Sequence, residues 1–278
     1  MNQQAGPSII SEQGQDAVYE DVPAFFAGGA ETLFGVLTRP TGEPNGTTVT
    51  MLTGGGYITS THRNRMYVTL GRRLSVHGYH SFRFDYHGTG ESTGTVEQFS
   101  LDQPFSEDVN GALHWLEARE LTKHVLIGSC FGARTVLSCS PGMAGLAGAV
   151  LVSPPVHDFS WDPRTHQYVG RGEPPSSLGG HRGAVPISPA FLLPFSRLVQ
   201  DDVPVLLIYG AGEAFYEGFQ EASAGDLRPT LEEAGALVDV RTLPGNVHQF
   251  RSLEVQHGVM ELIVDWLCRR RATPLPGA

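Results

Sequence analysis

Five residues, Gly128-Ser129-Cys130-Phe131-Gly132, follow a short apolar run (Val125, Leu126, Ile127) and precede a helix-prone stretch. A strand, a sharp turn and a helix in that order can present a nucleophile at the apex of the turn. The apex residue takes strained backbone angles, so the positions two before and two after it must be nearly free of side chain. Centred on Ser129, those positions are Ile127 and Phe131, both too bulky; centred on Cys130 they are Gly128 and Gly132. The expected nucleophile is therefore the Cys130 thiol. The alternative is a glycine-rich turn that holds a buried, inert cysteine.

A thiol nucleophile needs a base to take its proton and a group to orient that base. Two candidates sit in glycine-containing turns that close apolar runs. Glu213 ends Tyr209-Gly210-Ala211-Gly212-Glu213, and His248 ends Pro244-Gly245-Asn246-Val247-His248. In these roles His248 takes and returns the proton, and Glu213 holds the imidazole tautomer and offsets its charge. A neighbouring imidazolium and a helix N-terminus would favour the thiolate of Cys130. The oxyanion of an acyl-transfer intermediate would be met by the backbone N–H of Phe131 and by one from Gly54-Gly55-Gly56, either Gly55 or Gly56. Tyr57 is a candidate pocket-lining residue, with plain packing as its alternative.

Competing assignments come from the same sequence. There are 11 histidines, and His114 beside Trp115 and His257 inside a helical pattern illustrate ordinary ones. Glu217, Asp201, Asp202 and Asp239 rival Glu213 as the acid. Asp85, just past a strand, is expected to fix the following loop by hydrogen bonds from its carboxylate. The glycines at 54–56 do not make a phosphate loop, because neither G-x-G-x-x-G nor a following Gly-Lys-Ser/Thr is present.

The elements that must position these groups alternate. Paired strands are expected within 23–39, then a β-branched strand over 47–53, a helix over 65–77 ended by Gly78, and a strand over 79–85. A helix over 104–119 precedes the nucleophile strand and its helix, and 147–152 is a further strand. Residues 154–200 carry several prolines, a Gly179-Gly180 pair and the bulky rings Phe159, Trp161, Tyr168, Phe191 and Phe195. Without clear periodicity they are expected to form an inserted cap or lid, the alternative being a linker. Strands over 203–209 and 237–243 follow, with a helix-compatible run between them through Ala234. A closing helix has Val255, Val259, Leu262, Ile263, Trp266 and Leu267 on one stripe. Strand and helix alternation with near-continuous apolar strands predicts the α/β class around a mostly parallel sheet, as one domain over residues 1–278.

Composition narrows the partners. A net charge of −10 argues against nucleic acid or an anionic membrane. Three cysteines, Cys130, Cys139 and Cys268, have neither a metal-ligand spacing nor a disulfide framework. The first residues lack the basic and apolar regions of a signal peptide, and no apolar run reaches the length of a membrane span. A soluble protein in a reducing, cytoplasmic setting is expected.

Taken together, residues 30–270 resemble the α/β-hydrolase superfamily. The carriers are Leu52-Thr53-Gly54-Gly55-Gly56-Tyr57, Phe82-Arg83-Phe84-Asp85-Tyr86-His87-Gly88-Thr89-Gly90-Glu91-Ser92, the turn around Cys130, and the segments ending in Glu213 and His248. The order nucleophile, acid, base is the one that superfamily uses. Thr61-His62-Arg63 is similar to the exosortase-associated hydrolases, which also carry cysteine at the apex. The G-x-C-x-G turn resembles dienelactone hydrolases too, which have an aspartate where this chain has Glu213. The resemblance implies acyl chemistry without a metal or redox cofactor: hydrolysis of an ester or thioester, or acyl transfer or cyclisation through the same acyl-cysteine. A non-catalytic binding protein on the same fold is the remaining alternative.

Overall fold

The computed structural model describes residues 19–55, 58–96, 105–162, 167–170 and 186–272. Strands β1 (Tyr19–Gly28) and β2 (Glu31–Pro40) form an antiparallel hairpin. They are followed by β3 (Thr47–Leu52), helix α1 (Met66–Val76), β4 (His80–Phe84), α2 (Ser106–Glu117), β5 (Lys123–Ser129), α3 (Phe131–Cys139) and β6 (Leu146–Val152). A two-stranded ribbon, β7 (Phe159–Asp162) with β8 (Gln167–Gly170), precedes α4 (Pro189–Gln200). The chain then runs through β9 (Val205–Gly210), α5 (Ala214–Ala224), α6 (Arg228–Ala234), β10 (Val238–Leu243) and α7 (Leu253–Ala272).

Eight strands make one sheet in the order β1-β2-β4-β3-β5-β6-β9-β10. From β4 to β10 every pairing is parallel, while β2 is antiparallel to both its neighbours. Each strand's side chains alternate between two buried faces, which is why the central strands read as continuous apolar runs. In β5, Val125 and Ile127 pack toward α1 and α7, whereas Leu126 packs toward α2, α3 and α4. In β9, Leu206 and Ile208 take the first face, and Val205, Leu207 and Tyr209 the second. The stripe of α7 is buried at Val259, Ile263, Trp266 and Leu267.

Register fixes where the site falls. Leu52 is level with Gly128, Ser129 with Val152, and Gly210 with Leu243, so β3, β5, β6, β9 and β10 release their loops along one edge. In open parallel sheets that carboxyl edge is where reactive groups collect.

The expected cap differs in part. The periodicity of Phe191, Phe195, Leu198 and Val199 was hidden behind Pro189 and Pro194. These residues form the buried face of α4, and both phenylalanines belong to the main core rather than to a lid. Residues 163–166 and 171–185 of the expected cap lie outside the described residues. The single helix-compatible run before β10 is two helices, interrupted around Gly225.

Both ends of the 154–188 stretch are tied to α3 by one cation. Arg134 is 2% exposed and donates from Nη1 to the Pro155 carbonyl (3.1 Å) and from Nη2 to Asp158 (3.1 Å) and Ser188 Oγ (2.8 Å). Hydrogen bonds made by a buried charge carry more stability than neutral ones. Arg134→Ala is therefore expected to lower unfolding free energy by about 2–3 kcal/mol. A chemical-denaturation midpoint equal to the wild type's would show that the clamp contributes nothing.

Candidate active site

The turn after β5 has the geometry that its glycines imply. Cys130 sits at φ 52°, ψ −114°, a conformation that side-chain-bearing residues rarely adopt. A Cβ on Gly128 would lie 2.2 Å from the Gly132 carbonyl oxygen, and one on Gly132 would lie 2.5 Å from the Leu52 carbonyl oxygen. Only glycine at both positions lets α3 start directly against β3 and β5, which pushes Cys130 to the apex. Ser129 points elsewhere: its Oγ lies 3.5 Å from the Tyr67 hydroxyl.

The Cys130 sulfur is 2.9 Å from His248 Nε2. The base arrives on the turn after β10, where Phe250 N–H donates back to the Val247 carbonyl (3.1 Å). Phe215, in the first turn of α5, lies edge-on to the imidazole with ring centroids 4.7 Å apart, and it packs with Cys130 and Phe131. This ring was not singled out from the sequence; its position two residues beyond Glu213 was the available signal.

Glu213 is 3% exposed and contacts the base's loop through the backbone. Its Oε2 accepts the N–H of His248 (2.9 Å) and of Val247 (3.1 Å), and Oε1 accepts the Ser153 hydroxyl (2.5 Å). The sequence reading assigned Glu213 to the imidazole tautomer; the bonds seen here fix the loop that carries the ring. Ser153 was not among the candidates. It follows β6 at the level of the apex with φ 45°, fully buried, and its N–H donates to Ile208 in β9. The rivals fall away: Glu217 and Asp202 are exposed, Asp201 pairs with Arg197, and Asp239 pairs with Arg241. His114 and His257 are exposed.

On the oxyanion side, the Phe131 backbone N–H hydrogen-bonds to the Cys130 sulfur. The turn after β3 abuts the apex, since a Cβ on Gly54 would lie 3.6 Å from the Cys130 Cβ. Gly55 follows at φ 148°. Gly56 and Tyr57 lie outside the described residues. Asp85 does fix loops: it accepts the N–H of Ser60 (2.6 Å) and of Glu91 (3.3 Å). Among the described residues no group of His, Cys, Asp and Glu is arranged to hold a metal ion.

Burial acts on both partners. Burial pushes the Cys130 thiol up to about 12; the Phe131 N–H opposes this and the Glu213 charge adds to it. Burial also pulls His248 down to about 4. Both shifts run toward the neutral partners, because burial penalises either charge.

Comparisons with known proteins agree with this architecture. Residues 37–144 match a family model described as acyl transferase, a span that runs from β2 through α3. A search of curated proteins gives no match. Among solved structures, an α/β serine hydrolase homologue from Coxiella burnetii is 21% identical with TM-score 0.59, over 92% of this chain and 100% of that one. An esterase from Pyrococcus furiosus (16% identical, TM-score 0.61) aligns over 90% of this chain and 91% of its own. A dienelactone hydrolase from Anabaena variabilis (15% identical, TM-score 0.60) aligns over 90% and 98%. The chain has the α/β-hydrolase fold.

A neutral pair carries a spectral expectation. The far-ultraviolet difference spectrum between wild type and Cys130→Ala should lack a thiolate band from about pH 5 to pH 8. A band already present at neutral pH would establish the ion pair instead.

Proposed function

We propose that the protein is an acyl-transfer enzyme that works through a thioester on Cys130, hydrolysing an ester or thioester. The observation that carries this is the 2.9 Å approach of His248 Nε2 to a sulfur held at a strained strand-to-helix apex. The fold neighbours and the acyl transferase match over 37–144 support the reaction class.

Because the resting pair is neutral, His248 takes the thiol proton as the sulfur attacks the acyl carbonyl. The oxyanion forms against the Phe131 N–H and a donor from the turn at Gly55 or Gly56. Collapse of the intermediate breaks the bond to the leaving oxygen or sulfur, which departs with the proton from His248, and the acyl group stays on Cys130. In the second half His248 deprotonates water, which attacks the thioester; the released sulfur regains the proton. Glu213 keeps the base's loop in place, and its buried charge favours the transient imidazolium. Tyr57 would line the acyl pocket.

A second reading, transfer to an amine, thiol or carbon nucleophile or cyclisation, draws on the acyl transferase match. A thioester intermediate reacts readily with such acceptors, so the two readings differ only in what enters the second half. The substrate is proposed to be a small acyl ester or thioester, free or carrier-bound, with neither nucleic acid nor membrane as partner. No helix among the described residues is long and apolar enough to cross a membrane. Three free thiols fit a reducing, cytoplasmic compartment.

Intact-mass spectrometry with an activated thioester should show one acyl adduct, lost in Cys130→Ala and formed roughly 10²–10⁴ times more slowly in His248→Ala. Persistence of the adduct in Cys130→Ala would refute the assignment. An unreactive Cys130 in the wild type would favour a binding protein. The rate of acylation should stay flat below neutrality and fall only as pH drops through about 4, where His248 becomes protonated. Added amine or thiol, competing with water for the adduct, separates transfer from hydrolysis.

A further inference from the structure

Thr61-His62-Arg63 marks a resemblance to other cysteine-apex hydrolases, yet none of its side chains has a place in the chemistry above. It lies in a loop of unusual backbone: His62 (φ 58°), Asn64 (φ 50°) and Arg65 (φ 58°) are all left-handed without being glycine. Such conformations persist where surroundings over-determine them, and they gather at functional sites.

The surroundings of His62 are specific. The ring is 8% exposed, and its Nδ1 accepts the Arg63 N–H at 2.8 Å, which caps the short 3₁₀ turn before α1. Its ring meets Tyr67 at a centroid distance of 4.9 Å and Phe250 at 5.0 Å, the latter with the rings at 86°. Tyr67 and Phe250 are each 1% exposed. Tyr67 donates its hydroxyl proton to the Leu52 carbonyl (3.0 Å), the last residue of β3 before the glycine turn, and lies beside Ser129 Oγ, next to the nucleophile. Phe250 is two residues past His248; its N–H closes the base's turn, and its carbonyl accepts Gln256 Nε2 (2.6 Å) from α7.

We infer that His62, with Tyr67 and Phe250, is an aromatic strut that sets the distance between the loop of the base His248 and the apex and oxyanion turn it serves. His62 is a positioning residue in this scheme. It acts through Phe250 on His248 and through Tyr67 on Leu52 and Ser129, and it touches none of the reacting atoms. A wedge is needed because the base's loop leaves β10, while the oxyanion turn leaves β3, four pairings away across the sheet. A shift of about 1 Å in such a site costs on the order of 100-fold in rate. A histidine ring serves well here: as the neutral imidazole it caps its own loop with Nδ1 and packs against both Tyr67 and Phe250, and burial favours that neutral form.

The inference rests on the proposed acyl chemistry only for its kinetic arm. His62→Asn keeps a side-chain acceptor for the Arg63 N–H while removing the ring. The first measurement is the titration of the His248 ring by proton NMR in the full-length protein. In wild type the midpoint is expected near 4, where burial pulls it; in His62→Asn it is expected to move toward 6.5 as the base's loop loosens and water enters. The second is acylation of Cys130, where kcat should fall roughly 100-fold with KM held within about twofold. Phe250→Leu should produce the same two changes, and the double variant should be no worse than either single one, because both break one contact. A folded His62→Asn whose His248 midpoint stays put overturns the strut, as do single effects that simply add. Should the wild type fail to acylate, the acyl reading falls, and the titration alone still decides for or against the strut.

Discussion

The site depends on how closely one helix can start against the sheet. Carbonyl oxygens of β3 and of α3's own first turn occupy the space that a methyl group would need at Gly132 and Gly128. That near-contact of main chain with main chain forces the sharp turn, gives Cys130 its strained angles, and aims the Phe131 N–H at the sulfur. Everything else is arranged around a position already fixed: the glycine turn after β3 abuts the apex, and β9 and β10 deliver Glu213 and His248 from further along the same edge.

Burial then decides the protonation state. A sulfur and an imidazole 2.9 Å apart could rest as an ion pair, and in a wetter site beside a helix N-terminus they would. Here Phe215 and Phe131 pack with Cys130, and burial penalises the charged form of each partner. The carboxylate nearby reinforces this for the thiol, since a negative Glu213 opposes a second negative charge.

Much of this was legible in the chain because strand periodicity and glycine spacing are local signals. The choice of Cys130 over Ser129 followed from which neighbours lack side chains, and the elements from β1 to β6, with β9, β10 and α7, fell near their expected bounds. Other features depend on contacts between distant segments. Ser153 looks like an ordinary residue in a Ser-Pro-Pro turn until the sheet sets it beside Glu213, 60 residues away. The backbone grip of Glu213 on the base's loop, the neutral Cys130–His248 pair and the burial of Arg134 arise the same way. Helix α4 was missed for a local reason: two prolines read as breakers, although Pro189 occupies a helix's first turn, where its missing N–H costs nothing.

Arg134 has a consequence for how this architecture can change over evolutionary time. By holding Pro155, Asp158 and Ser188 to one guanidinium, it brings the two ends of a long excursion to a common anchor on the helix that follows the nucleophile. With the ends fixed, lengthening the intervening chain carries only a closure entropy, roughly 0.6 kcal/mol for each doubling. The excursion can thus change in length while the helix that anchors its two ends stays as it is.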